Sequence, residues 1–221
     1  MSVEDLRQRY LWIAKQSLSF LKDHGFKKKG QKYIKQEGDL LFEIYPYVTR
    51  PWINTDESYD FGFSWGIFTL EPKFIECDIF MGASKNIKGA YLMGTDISPA
   101  SHKNQMIYLT NKDPADFDHK FAEGVKEEIE TEILPLFDRI NSLDAVIQIT
   151  LEDEKLPRSE RQYYKHTIYG FLAKFYAYKG WKDKALEMWD KDIEMTPATS
   201  RYLVEGRKKR CIKYFDQLKG I

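Results

Sequence analysis

Cysteine is scarce. Cys77 and Cys211 are the only two in 221 residues. A disulfide framework or a zinc quartet needs more thiols at short spacings, so both are excluded. Histidine is scarce too, and His24, His102, His119 and His166 are scattered, with no HExxH phrase and no cysteine at ligand spacing. Neither GxxxxGKS/T nor GxGxxG occurs at a strand-to-helix junction, which leaves nucleotide-dependent chemistry without support. No run of about 18 apolar residues is present, so no membrane span and no membrane partner are expected. An excess of one charge is also missing. Lysine plus arginine number 34 and aspartate plus glutamate 34, a balance that argues against a chain devoted to nucleic acid. The opening MSVEDLRQRYLWIAKQ interleaves acids and bases where a secretory signal needs an apolar segment. The expected location is therefore the cytoplasm.

Aromatic residues are plentiful. Fourteen Phe, fourteen Tyr and five Trp supply enough apolar area to exclude disorder. Their periodicity predicts the elements. Leu6, Tyr10, Ile13, Ser17 or Leu18, and Leu21 recur at helical spacing, with Ser2 and Asp5 as a capping pair and Gly25 as the stop, so a helix is expected from Val3 to Asp23. Gln31–Gln36 and Leu40–Val48 read as a hairpin around Glu37-Gly38-Asp39. In Tyr59–Leu70, Phe61, Phe63, Trp65 and Ile67 alternate with Gly62, Ser64 and Gly66, the period of a strand with one face in a core. Phe74–Met81, Ala90–Met93 and Met106–Thr110 read as further strands. Asp113-Pro114 predicts a helix start, the stripe Phe117, Phe121, Val125, Ile129, Ile133 its buried face, and Pro135 its end or a kink. Ser142 caps a helix over Leu143–Leu151. Three more helices are expected over Ser159–Lys179, Lys182–Met195 and Pro197–Leu218. The first two resemble one tetratricopeptide unit through Ala173, Tyr176, Trp181, Ala185 and Leu186, with no second copy to stack on.

These patterns predict an α+β fold: an antiparallel sheet of about five strands packed with helices, then a helical hairpin plus a helix. The charged stretch Glu152–Arg158 is the expected boundary between a domain at 1–152 and a helical region at 153–221.

The phrase Phe20-Leu21-Lys22-Asp23-His24-Gly25-Phe26-Lys27-Lys28-Lys29-Gly30, with Tyr33, Gly38-Asp39 and the strand Leu40–Ile44, resembles the start of a bacterial family called domain of unknown function 4304. Leu134-Pro135-Leu136-Phe137-Asp138 and Ser142-Leu143-Asp144 are similar to its closing part. The resemblance spans roughly residues 5–150. It implies an α+β fold and no established activity, so it brings no catalytic residues.

Several constellations are candidates for function. Lys22, Lys27, Lys28, Lys29, Lys32 and Lys35, interleaved with Phe26 and Tyr33, suit phosphate contact and base stacking, or equally a solvated edge strand guarded by lysine. The last helix adds Arg207, Lys208, Lys209, Arg210, Lys213 and Lys219, against Asp216. The helix after Asp113 is acidic, with Glu123/Glu127 and Glu128/Glu132 each sharing a face; without histidine at matching spacing a solvated face is the plainer reading than a metal site. Acids beside Cys77 predict a raised thiol pKa, and bases near Cys211 a lowered one. Tyr163, Tyr164, Tyr176, Tyr178 and Trp181 crowd one helix and its turn, which suits protein contact.

The leading expectation is a non-enzymatic protein-interaction module, of the kind that caps or neutralises a partner as small immunity proteins do, with no cofactor. Its candidate contact residues are Lys27, Lys28, Lys29, Lys32, Tyr33, Trp65, Tyr163, Tyr164 and Trp181. Nucleic-acid binding through the lysine-rich segments is one alternative. An enzyme using Glu43 or Asp60 beside Trp65 and Tyr45 is another.

Overall fold

The computed structural model of the chain describes residues 2–49, 54–55, 57–83, 89–97, 107–156 and 168–218. Helix α1 (Val3–Leu18) opens on a capping box: the Asp5 N–H donates to Ser2 Oγ at 3.2 Å, and the Ser2 N–H to the Asp5 carboxylate at 2.7 Å. It tightens into a 3-10 turn at Ser19–Lys22 and stops at Gly25, whose φ of 83° favours glycine. The last turn of the expected helix is therefore 3-10.

One antiparallel sheet follows. Strands β1 (Lys27–Lys29), β2 (Lys32–Glu37), β3 (Leu40–Val48), β4 (Ser58–Thr69) and β5 (Ala90–Ile97) lie in that order, and β6 (Ile107–Thr110) pairs with the first four residues of β4. β1 was not foreseen. It pairs with β2 across Gly30-Gln31, Lys29 opposite Lys32, and the positive φ of Gly30 (63°) suits the tight turns that match strand twist.

Three expectations are corrected. The segment expected as the strand Phe74–Met81 is helix α2 (Pro72–Phe80), with Pro72 in its first turn and the Glu71 carboxylate accepting from the Lys73 N–H. A short apolar run does not tell strand from helix by period alone, and Glu-Pro at its start is a helix signal. Helix α3 (Phe117–Glu128) begins after Asp116, because Asp113 is engaged elsewhere: it accepts from the Thr110 N–H (2.8 Å) and hydroxyl (2.7 Å) and from Arg9 (3.0 Å). Pro135 does not end the helical stretch at Leu134. A π turn (Ile129–Ile133) is followed without a gap by α4 (Leu134–Arg139), with the Leu134 N–H reaching back to the Ile129 carbonyl. That wider turn is where a ring that would strike the carbonyl four residues back is accommodated. Helices α5 (Leu143–Glu154), α6 (Tyr169–Tyr178), α7 (Lys182–Met195) and α8 (Arg201–Leu218) complete the chain.

The chain forms two compact units. The first holds residues 1–37, 42–67 and 94–141; the second holds 38–41, 68–93 and 142–221. The stretch from Glu152 expected as a boundary thus begins inside the second unit.

In the first unit, α1 packs on α3, and both cover the apolar sheet face. Tyr10 and Phe121 meet Phe61 at ring-centroid distances of 5.4 and 5.5 Å, and Phe137 meets Phe42 at 4.8 Å and Trp65 at 5.6 Å. In the second unit, α6 and α7 form the hairpin, α8 lies on α7, and α2 packs against α6 and α8. A lone helical pair leaves one face open, and here α2 packs against α6. Trp189 is fully buried there, and Phe74 meets Tyr178 at 5.5 Å.

Candidate functional site

The lysine-rich segment is an edge hairpin. Lys27, Lys28 and Lys29 are all exposed, and none has a carboxylate partner among the described residues. Lys32 differs: its ammonium lies 2.6 Å from the Glu43 carboxylate and 4.9 Å from the centroid of the Tyr45 ring. Phe26 and Tyr33, expected as stacking partners, are buried. Lys28 lies over the Tyr33 ring at 5.8 Å, but that ring offers no free face for a base.

Trp65 is likewise a core residue, turned toward Phe137, and it does not join the carboxylates proposed beside it. Alternation along β4 puts Asp60 and Trp65 on opposite faces. The face opposite the core is instead a polar one. There the Tyr47 hydroxyl donates to the Asp96 carboxylate at 2.9 Å, and the Tyr47 ring occupies the space above Gly62. Burial and then Asp96 push the Tyr47 phenol well above its usual range, so it stays a donor at any ordinary pH. This pair was not anticipated, although the run of small residues in β4 was the signal that something packs closely there.

The third region is the turn of the helical hairpin. Gly180, with φ 80°, reverses the chain and leaves Trp181 just ahead of α7. Trp181 is 48% exposed and stacks on Tyr176 at 5.8 Å with 30° between the rings. Lys184 stands 4.6 Å from the Trp181 centroid and 5.8 Å from that of Tyr176. The result is a fixed aromatic surface with a cation over it. Tyr163 and Tyr164 lie outside the described residues.

Of the acids on α3 and its two ends, Asp118 holds Arg9 at 2.6 Å, Lys120 pairs with Asp116 at 2.5 Å and Lys126 with Glu130 at 3.6 Å. Glu123 and Glu127 are exposed. No group of three or more potential metal ligands is assembled among the described residues. The cysteines are buried in the second unit. Burial pushes the Cys77 thiol up to about 12, with Cys211 adding to the effect. The Cys211 thiol is also raised, which corrects the expected lowering: its burial outweighs the lysine charge nearby. No helix among the described residues is long and apolar enough to cross a membrane.

Comparison with protein-family models, with curated proteins and with solved structures found no match to this chain.

Proposed function

We propose that this protein is a non-enzymatic interaction module that binds and caps another protein in the bacterial cytoplasm, in keeping with its resemblance to domain of unknown function 4304. The observation that carries the reading is the Trp181–Tyr176–Lys184 surface. A tryptophan held half-exposed by stacking has already lost its rotamer freedom, so its burial by a partner costs little further entropy. Tryptophan and tyrosine are the residues that most often dominate interface energetics. The test is native affinity capture with the wild-type chain and with Trp181→Ala, folding being checked by circular dichroism. A specific protein partner is expected, bound about 30-fold more weakly by the variant, equivalent to about 2 kcal/mol. A wild-type chain that stays monomeric and captures nothing that the variant does not would overturn the reading.

A second reading, nucleic-acid binding, is favoured by one observation, the three exposed lysines of β1 without carboxylate partners. With Phe26 and Tyr33 buried it rests on charge alone. It requires RNA or DNA retention that falls with salt and disappears when Lys27, Lys28 and Lys29 are all changed to Glu.

A further inference from the structure

The described part of the second unit carries an apolar groove beside a row of cations. The groove, of about 630 Å³, is lined by Leu70, Pro72, Ile75, Glu76, Ile79 and Phe80. Phe74 and Cys77 turn α2 inward, while Ile75 and Ile79, one helical turn apart, form a ridge that stays half-exposed. Glu76 is the one acid among the lining residues.

Helix α8 adjoins this groove. Its Tyr214 meets Phe80 at 5.6 Å, and its Arg210 guanidinium lies on Gly82, where a Cβ would stand only 2.6 Å from a guanidinium nitrogen. Only Val204, Cys211 and Phe215 of α8 are buried. Arg207, Lys209, Arg210 and Lys213 are exposed, and none has a carboxylate partner among the described residues; the α8 ion pairs there use Lys208, with Asp190, and Asp216, with Lys182 at 3.5 Å. Helical spacing places Tyr202, Lys209 and Lys213 along one line and Leu203 and Arg210 along the next. Tyr202 is 67% exposed and Leu203 51%. The surface thus joins apolar anchoring positions to four cations that have no carboxylate partner among the described residues.

We infer that the α2 groove and the cationic face of α8 together dock an acidic amphipathic helix of a partner protein. The Ile75/Ile79 ridge and Phe80 take the apolar stripe of such a helix, and Arg207, Arg210 and Lys213 face its carboxylates. The inference shares with the proposed function only the premise that the partner is a protein. It uses no residue of the Trp181 surface.

The test measures fluorescence anisotropy of a labelled synthetic peptide of about four helical turns, with Leu at i, i+3, i+4 and i+7 and Glu elsewhere. The same peptide with Lys for Glu, and a single-stranded RNA of similar charge, are the comparisons. The Glu peptide is expected to bind the full chain, the Lys peptide not to bind, and added salt to weaken the complex. Arg207→Glu with Arg210→Glu should weaken it about tenfold or more, with an unchanged melting curve, since both side chains are exposed. Ile75→Gln should weaken it through the groove. Trp181→Ala should leave it intact. Failure of the Glu peptide to bind, equal binding by the double variant, or RNA binding in its place overturns the inference. Because the peptide assay excludes Trp181, its failure leaves the capture result at that residue standing.

Discussion

A Cβ on Gly62 would stand 2.7 Å from Cζ of the Tyr47 ring, so the absence of a side chain there is what admits the ring and lets its hydroxyl reach Asp96. Gly62→Ala is expected to cost about 1–3 kcal/mol by displacing the ring, whereas Tyr47→Phe, which removes only the hydrogen bond, should cost about 1 kcal/mol. Urea denaturation of both variants measures the difference, and a larger loss for Tyr47→Phe would contradict the packing argument. The phenols also set an alkaline limit. Burial raises Tyr10 and Tyr214 from the ordinary 10.0 to about 12. A phenol whose folded pKa exceeds its unfolded one stabilises the native state fully below pH 10, and that contribution is lost as pH rises from 10 toward 12. Melting temperature should fall across this window, and less steeply in Tyr10→Phe. The thiols are expected to be inert for the same reason. Cys77 and Cys211, buried and held protonated, should react with a disulfide reagent only after unfolding, and rapid native labelling would show that one of them is accessible.

Among the elements, α1 and α3 are joined by Arg9. Its guanidinium takes Asp118 at 2.6 and 2.9 Å, Asp113 at 3.0 Å and the Thr110 carbonyl at 2.8 Å, which raises its own pKa, chiefly through Asp118. Removing it strands two partly buried carboxylates near each other. Arg9→Ala is therefore expected to cost about 2–3 kcal/mol, more than a surface ion pair would, with Arg9→Lys recovering only part because an ammonium lacks the fork. Calorimetry checks both. Helix α2 teaches a different lesson. Its sequence, PKFIECDIF, alternates and repeats at three and four at once, so period alone favours neither strand nor helix. Tertiary contacts decide: the buried side carries Phe74, Cys77 and Asp78, with Asp78 paired to Lys174 at 2.6 Å. The π turn before α4 was equally hidden, since Pro135 announces a disturbance without specifying whether the helix breaks or widens.

For the molecule as a whole, the charge balance has a direct consequence. With 34 cations against 34 anions and an isoelectric point near 6.9, solubility should be lowest close to neutral pH and rise on either side, which light scattering across pH will test. The balance conceals an uneven distribution. Lysines are exposed on β1, glutamates on α3 and cations on α8, each segment with its own field at short range. Changing Lys27, Lys28 and Lys29 to Glu should alter stability by no more than about 0.5 kcal/mol, because these side chains make no ion pair among the described residues.

The sequence by itself determined the α+β class, the first helix with its cap, the β2–β3 hairpin, the long strand β4 and the span of α7, because each rests on local signals: a capping pair, a turn glycine, an unbroken period. It also exposed the candidate residues, but not which of them point outward. Tyr33 and Trp65 looked like contact residues and are core, since strand alternation says that a residue takes one face without saying which face is buried. Trp181 looked the same in sequence and is half-exposed, because Gly180 turns the chain beneath it. The assembly of the α2 groove with the cations of α8 joins segments more than a hundred residues apart, and no local pattern can encode that proximity. It exists only because burial of Phe74, Cys77, Cys211 and Phe215 draws the two helices together.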